Sequence, residues 1–328
     1  RQLARWGVDE VHRGIGRTGV VGVIRGRDTH SARTVGLRAD IDALPMHEDN
    51  DFAHRSRKAG CMHGCGHDGD AMMLRGAARY RAKTRDFDGT VHLIFQPGEE
   101  GFGGAQVMID DGLFERFPCD AVYAMHNWPG LPPGTIAVRP GPMMAAADRI
   151  TITVEGRGGH GAHPYQTIDP VLVAAHIITA AQSIVSRNVK PLDSAVVSLC
   201  AIEAGHLGAM SVMPSTAKIV GTVRTFKPET QDMIEARLSA LAASVAAGFG
   251  AQARLDYERI YPATINSRAE ALFGQQVAEE LVGADHVVTD LEPSMGAEDF
   301  SFMLRVRPGA YFRIGQGGAE AGRLLHNT

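Results

Sequence analysis

Ten consecutive residues, CMHGCGHDGD at positions 61–70, hold two cysteines, two histidines and two aspartates, in a chain with only four cysteines altogether. Thiolate, imidazole and carboxylate are the ligand types of borderline-soft divalent cations, and the intervening glycines let a backbone turn tightly enough to aim several of them at one point. Cys65 and His67 are the pair best placed for this. Cys61 and His63 read as structural, because a redox pair Cys61–Cys65 would lack the CxxC spacing. Further along are three more small clusters. Glu99 and Glu100 follow the strand-like TVHLIF in QPGEEG, His126 follows DAVYA, and His326 follows GAYFRIG by a short loop in LLHNT. Arg38-Ala39-Asp40 precedes the first cluster.

The elements around these residues decide whether they can meet. GVVGVIRG, RTVGLRADI, TVHLIF, DAVYAMH and GTIAVRPG are rich in Val and Ile and bounded by Gly, Pro or Asp, and DAMMLRGAARYRAK between them has helical spacing. Such alternation predicts an α/β layer with a largely buried sheet. Three of the clusters then fall just beyond a strand, where ligands gather in open α/β sheets. One thiol, three imidazoles and a carboxylate exceed what one catalytic zinc needs, so with a spare Glu they fit two divalent ions better. Zinc suits the donors, with manganese, cobalt or nickel open.

From Asp148 the pattern changes. DRITITVEG alternates as a half-exposed strand, Asp169 stands ready to cap a helix opening with Pro170, two more strands follow, and a helix runs from about Pro228 to Ala247. This β-α-β-β-α order predicts a compact α+β insertion. After Tyr261 the first pattern resumes, with Ser267 and Glu270 spaced as a capping box. The expected architecture is a catalytic α/β domain with a mixed, mostly parallel sheet over 1–146 and 262–328. An inserted ferredoxin-like α+β domain over 147–261 would serve as lid and dimerisation element.

With 44% hydrophobic and 21% charged residues, the 328-residue chain has the balance of a soluble globular protein long enough for two domains. A net charge of −4 gives no basic face for nucleic acid. No uninterrupted apolar run approaches the ~20 residues of a membrane span; PVLVAAHIITAAQSIV, broken by His176, Thr179 and Gln182, reads as a core helix. Few, scattered cysteines favour reduced thiols and a cytoplasmic setting. The chain starts at Arg1 without a methionine, so a missing N-terminal piece is expected.

At LRADIDALPMHE, MHGCGHDGD, FQPGEEGFGGA, MHNWPGLPPG, GRGGHGAHPYQTIDPV, GTVRTF, GAEDFSFM and LLH, in that order, the sequence resembles the amidohydrolase branch of the aminoacylase/carboxypeptidase zinc-peptidase superfamily. Hippurate hydrolase and the plant indole-acetyl-amino-acid hydrolases belong to that branch. The resemblance implies a thiolate of Cys65 bridging two metals, His67 and His126 completing one ion, Glu100 and His326 the other, and Glu99 as general base. It implies that Asp40 orients a ligand from behind. In the insertion, it implies that His160 polarises the scissile carbonyl, from its own or a partner subunit, and that Arg224 meets the substrate carboxylate. Ser211 stands where relatives carry Asn, and Gly64 and Asp70 stand where they carry Ala and His, a departure expected to alter only the pocket edge. Relatives also continue past His326 through another helix. The implied activity is hydrolysis of N-acyl amino acids by a homodimer. The alternatives are a dipeptidase, carboxypeptidase or N-acetyl-diaminopimelate deacetylase on the same scaffold, or a non-catalytic small-molecule binder.

Overall fold

A computed structural model of the protein describes residues 1–318 and 325–326. The closing LLHNT stretch is therefore represented by Leu325 and His326, and residues 319–324 and 327–328 lie outside the described residues. The described chain divides into two compact units. The first comprises Arg1–Met143, Thr264–Pro293 and the chain from Glu298 on; the second comprises Met144–Ala263 with Ser294–Ala297.

The first unit is built on an eight-stranded sheet. Its strands run in the order Glu10–Ile15, Gly19–Arg25, Thr90–Gln96, Thr34–Asp40, Ala121–Trp128, Gly309–Gly315, Ile136–Ala137, Val287–Val288. The four central strands from Thr90–Gln96 to Gly309–Gly315 are mutually parallel, as are the last two, while the first two pair antiparallel as a hairpin edge. The sheet is thus mixed and mostly parallel. Its strands are apolar where both faces are covered: Leu93, Ile94, Val122 and Ala310 are fully buried. The helix His67–Thr84 covers one face through Leu74, Ala78 and Ala82. The helix Arg268–Val282 can lie close to the strand Gly309–Gly315 because Gly274 faces Phe312, where a Cβ would stand 2.2 Å from the ring. Ser267 does not cap that helix. Its hydroxyl accepts from Gly309 N at 3.2 Å instead, so the expected capping box gives way to a tie between helix and sheet.

Parallel register brings the ends of neighbouring strands level. Asp40 sits opposite Gln96, and His126 opposite Arg313. His126 lies inside the strand Ala121–Trp128 rather than after it, on the face that also buries Val122 and Ala124.

The second unit is a four-stranded antiparallel sheet ordered Ala195–Ala204, Thr216–Thr225, Ala146–Glu155, Gln252–Tyr261. The helices Pro170–Asn188 and Pro228–Gly248 pack on it. With its last strand included, the order β-α-β-β-α-β is the ferredoxin-like arrangement. That last strand is absent from the reading of the sequence, because its charges (Arg254, Asp256, Glu258, Arg259) mask the alternation. Asp169 caps the first helix, accepting from Val171 N at 2.8 Å and Leu172 N at 3.3 Å. By length and composition this helix could cross a membrane. Here Val173, Ala174, Ile177, Ala181 and Ile184 bury its inner stripe against the sheet, each Val or Ile stabilising the unit by about 1.5–3 kcal/mol.

Candidate metal centre

Two backbone devices aim the donors of the first unit. Gly66, at φ +104°, precedes the helix His67–Thr84 so that Cys65 and His67 point the same way. A Cβ at Gly66 would lie 2.1 Å from Asn127 Oδ1, so the helix start and the strand carrying His126 touch through this glycine. Gly98, at φ +69°, turns the chain out of the strand Thr90–Gln96 into Glu99 and Glu100. The backbone N–H groups of Glu99 and Glu100 both donate to the carboxylate of Asp42, at 3.1 and 3.0 Å.

The convergence is tight. Donor atoms of Cys65, His67 and His126 lie within 4.8 Å of one another, and so do those of Cys65, Glu100 and His326. Cys65 Sγ is 3.6 Å from His126 Nε2, and His326 Nε2 is 3.4 Å from Glu100 Oε1. His326 has a left-handed backbone, φ +58°, and its N–H donates to Gly64 O at 2.6 Å, which ties the far end of the chain to the cysteine loop. Glu99 is buried beside this set and shares a third close group with His67 and Glu100.

Behind the donors lies a buried ionic network that the sequence did not announce. Arg38 donates to Asp40 at 2.8 Å, Glu298 at 2.9 Å, Asp299 at 3.0 Å and Gln96 at 2.8 Å. Asp299 N in turn donates to Glu99 Oε1 at 3.4 Å. The carboxylate beside His67 Nδ1 is Asp42, 3.5 Å away, and the Asp42 carbonyl lies 3.0 Å from the same nitrogen. Asp40 faces the other side of that ring, 3.7 Å from Nε2. Asp42 thus holds the nitrogen of His67 that faces away from the converging donors, the place from which a ligand imidazole is oriented. Asp70 is not at a pocket edge. It is 1% exposed, and its carboxylate accepts from Asn127 N at 3.2 Å.

Acid outweighs base here, and the proton affinities show it. Burial, with Glu298 and Asp299 adding to it, pushes the Glu99 carboxyl well above the usual range. Burial and Asp40 carry Asp70 up to about 9, and burial with Glu298, against Arg38, carries Asp299 up to about 7. The Cys65 thiol is pushed up to about 12, chiefly by burial. Burial would lower His67, but Asp42, Cys65 and Asp40 raise it to about 12. Asp42 itself is drawn down to about 2: burial opposes this, but His67 and the two backbone N–H groups prevail.

A divalent cation fits these residues. His67 Nε2 and Glu100 Oε1 are buried without a hydrogen-bond partner, and both belong to the converging groups. An orphaned donor or acceptor costs about 1–3 kcal/mol, a cost that coordination removes. Thiolate, imidazole and carboxylate together match zinc or its neighbours.

A model for peptidase family M20/M25/M40 matches residues 36–327. The chain belongs to this family. It is 41% identical over 97% of its length, and 81% of the relative's, to hippurate hydrolase of Campylobacter jejuni. Over 93% of its length, and 78% of the relative's, it is 37% identical to an N-acetylcysteine deacetylase of Bacillus subtilis. Among solved structures it resembles the Bacillus subtilis YXEP protein, a dinuclear metal-binding peptidase of the M20 family. That match has TM-score 0.80 and 33% identity, and covers 96% of this chain and 81% of that one. Membership in a family of amide-cleaving hydrolases makes this M20 chain an amidohydrolase, and the fold agrees with that of its neighbours.

The remaining residues singled out from the sequence lie in the second unit. His160 is exposed on a two-stranded ribbon, Gly159–His160 against Val212–Met213. Gly161 N donates to Ser211 O at 2.8 Å, so His160 and Ser211 are neighbours. Arg224 is half-buried opposite Ala147 and Val196, and its pKa is lowered by burial against the pull of Asp148.

Proposed function

We propose that this protein hydrolyses the amide bond of N-acyl amino acids of the hippurate kind, giving a carboxylic acid and a free amino acid. The observation that carries the reading is the pair of donor groups, Cys65–His67–His126 and Cys65–Glu100–His326, that share one sulfur and flank Glu99. Two divalent ions would be held there, zinc or manganese, with cobalt or nickel as alternatives. When bound, such ions lower the pKa of a coordinated water from about 15.7 toward about 7.

The chain's own groups supply the rest. Glu99 accepts a proton from the attacking water and delivers it to the leaving nitrogen, a task suited to a carboxyl whose proton affinity burial and Glu298 have raised. Asp42 holds His67 and both N–H groups of the Glu99–Glu100 turn, so base and ligands keep one register. Arg38 fixes Asp40, Glu298 and Asp299 behind them. In the same reading His160 polarises the scissile carbonyl, in its own or a partner subunit. Arg224 meets the substrate carboxylate through its planar fork, and Ser211 sets the room beside it. The protein is taken to be a cytoplasmic homodimer joined through the unit Met144–Ala263, which mass in solution tests directly.

The deciding experiment measures free amino acid released from hippurate and a panel of N-acyl amino acids by zinc- or manganese-loaded protein, with and without chelator. Chelator-sensitive release is expected. Two bound ions with no release from any member would refute the reading. The N-acetylcysteine deacetylase relative favours a second substrate class, short acyl groups, and the same panel ranks acetyl against benzoyl.

A further inference from the structure

Two buried carboxylates, Asp40 and Asp70, lie close to His126. Each has one oxygen anchored by the protein: Arg38 Nη1 donates to Asp40 Oδ2 at 2.8 Å, and Asn127 N donates to Asp70 Oδ1 at 3.2 Å. The other oxygens, Asp40 Oδ1 and Asp70 Oδ2, are buried and have no hydrogen-bond partner, in side chains that are fully enclosed. Donor atoms of Asp40, Asp70 and His126 lie within 4.8 Å of one another, with Asp70 Oδ2 3.7 Å from His126 Nε2. His126 Nδ1 lies 2.6 Å from Asn127 O, a partner that only accepts, so Nδ1 donates there and Nε2 is the nitrogen left to face the other donors. Nε2 stands 3.6 Å from the Cys65 sulfur and 3.7 Å from the Asp70 oxygen. Buried carboxylate oxygens left without a protein donor, converging with an imidazole nitrogen, make a donor set that a cation can satisfy.

We propose that Asp70, with Asp40 beside it, forms an oxygen-donor side of the metal centre, Asp70 Oδ2 being a further ligand of the ion held at Cys65, His67 and His126. This rests on the dinuclear reading above and adds to it a determinant of metal choice. Carboxylate oxygen suits harder divalent cations such as Mn2+, whereas sulfur and imidazole suit Zn2+. Asp70 therefore shifts the centre toward manganese.

The test compares Mn2+ and Zn2+ dissociation constants, by chelator competition, in the unaltered protein and in Asp70→Asn and Asp70→Ala. Loss of the carboxylate is expected to weaken Mn2+ by about 10–100-fold and Zn2+ by much less, so that the Mn/Zn ratio moves at least about tenfold. A ratio unchanged within about twofold overturns the proposal and leaves the pair holding a proton. So does equal weakening of both ions, which would mean that Asp70 only steadies His126. Should both variants fail to fold, the unaltered protein loaded with one equivalent of Co2+ still decides. Five- or six-coordinate visible absorption supports the oxygen ligand, and tetrahedral absorption overturns it. None of these readouts uses turnover: metal-replete protein without amide cleavage would sink the proposed activity and leave the ratio standing.

Discussion

Asp42 is the residue on which the centre's geometry turns, and Asp42→Asn should show it. The carboxylate accepts from Glu99 N and Glu100 N and stands 3.5 Å from His67 Nδ1. The amide keeps the shape but loses the charge and presents an NH2 to one of two N–H donors. Bonds to a charged acceptor are worth about 1.5–3 kcal/mol each, and residues behind a metal ligand are worth about 10–100-fold in affinity. A 10–100-fold rise in the metal dissociation constant is therefore expected, with the Glu99–Glu100 turn loosened. The acid limb of stability gives an independent reading in metal-free protein. Asp42 drops from an ordinary 3.8 to about 2 on folding. A carboxyl depressed in the folded state contributes stability that is complete above its unfolded pKa and is lost as pH falls through the folded one. That contribution, about 2 kcal/mol from the shift and about 1–2 after allowance for partial exposure, should disappear between about pH 4 and pH 2. It should be missing from the Asp42→Asn curve. Urea unfolding of both proteins across that window, with chelator-competed binding at neutral pH, makes the comparison. Unchanged metal affinity together with superimposable acid limbs would refute the argument.

Other consequences are open to measurement. Glu99→Ala should retain its metal by elemental analysis yet lose turnover by about 10²–10⁴-fold, the span of general acid–base catalysis; near-normal activity would remove Glu99 from that role. Arg38→Met strands Asp40, Glu298 and Asp299 and should cost about 3–5 kcal/mol in urea unfolding, whereas a loss below about 1 kcal/mol would mean that the network is dispensable. Gly66→Ala meets a left-handed backbone and Asn127 at once. It should lower stability by at least about 1–2 kcal/mol and weaken metal binding, both read by thermal unfolding with and without added metal.

Much of this was legible in the chain. The strands Gly19–Arg25, Thr34–Asp40, Thr90–Gln96 and Gly309–Gly315 are apolar runs bounded by turn residues, and their ends locate the donors. Cys65 and His67 stand out because glycines isolate them. What stayed hidden was what distance along the chain conceals. Arg38 meets Glu298 and Asp299 across some 260 residues, and no local period marks that partnership. Asp42 looks like one more loop acid until the backbone N–H groups of Glu99 and Glu100 are seen to end on it. Asp70 reads as a polar first-turn residue, well suited to a helix start, and only burial shows that it faces inward. The edge strands Glu10–Ile15 and Gln252–Tyr261 are half-polar, so their alternation is diluted by charge.

The tie between His326 and Gly64 sets a timetable for the centre. A ribosome adds roughly 5–20 residues each second, and His326 comes two hundred residues after His126. For about 10–40 s of synthesis the group of Cys65, His67 and His126 exists while the group that needs His326 does not. On the two-ion reading proposed above, the two halves mature in a fixed sequence: the first group is complete once His126 has emerged, and the second only once His326 has followed. A chain stopped after Gly318 should bind one equivalent of metal where the longer chain binds two, and equal stoichiometry would show that His326 closes nothing.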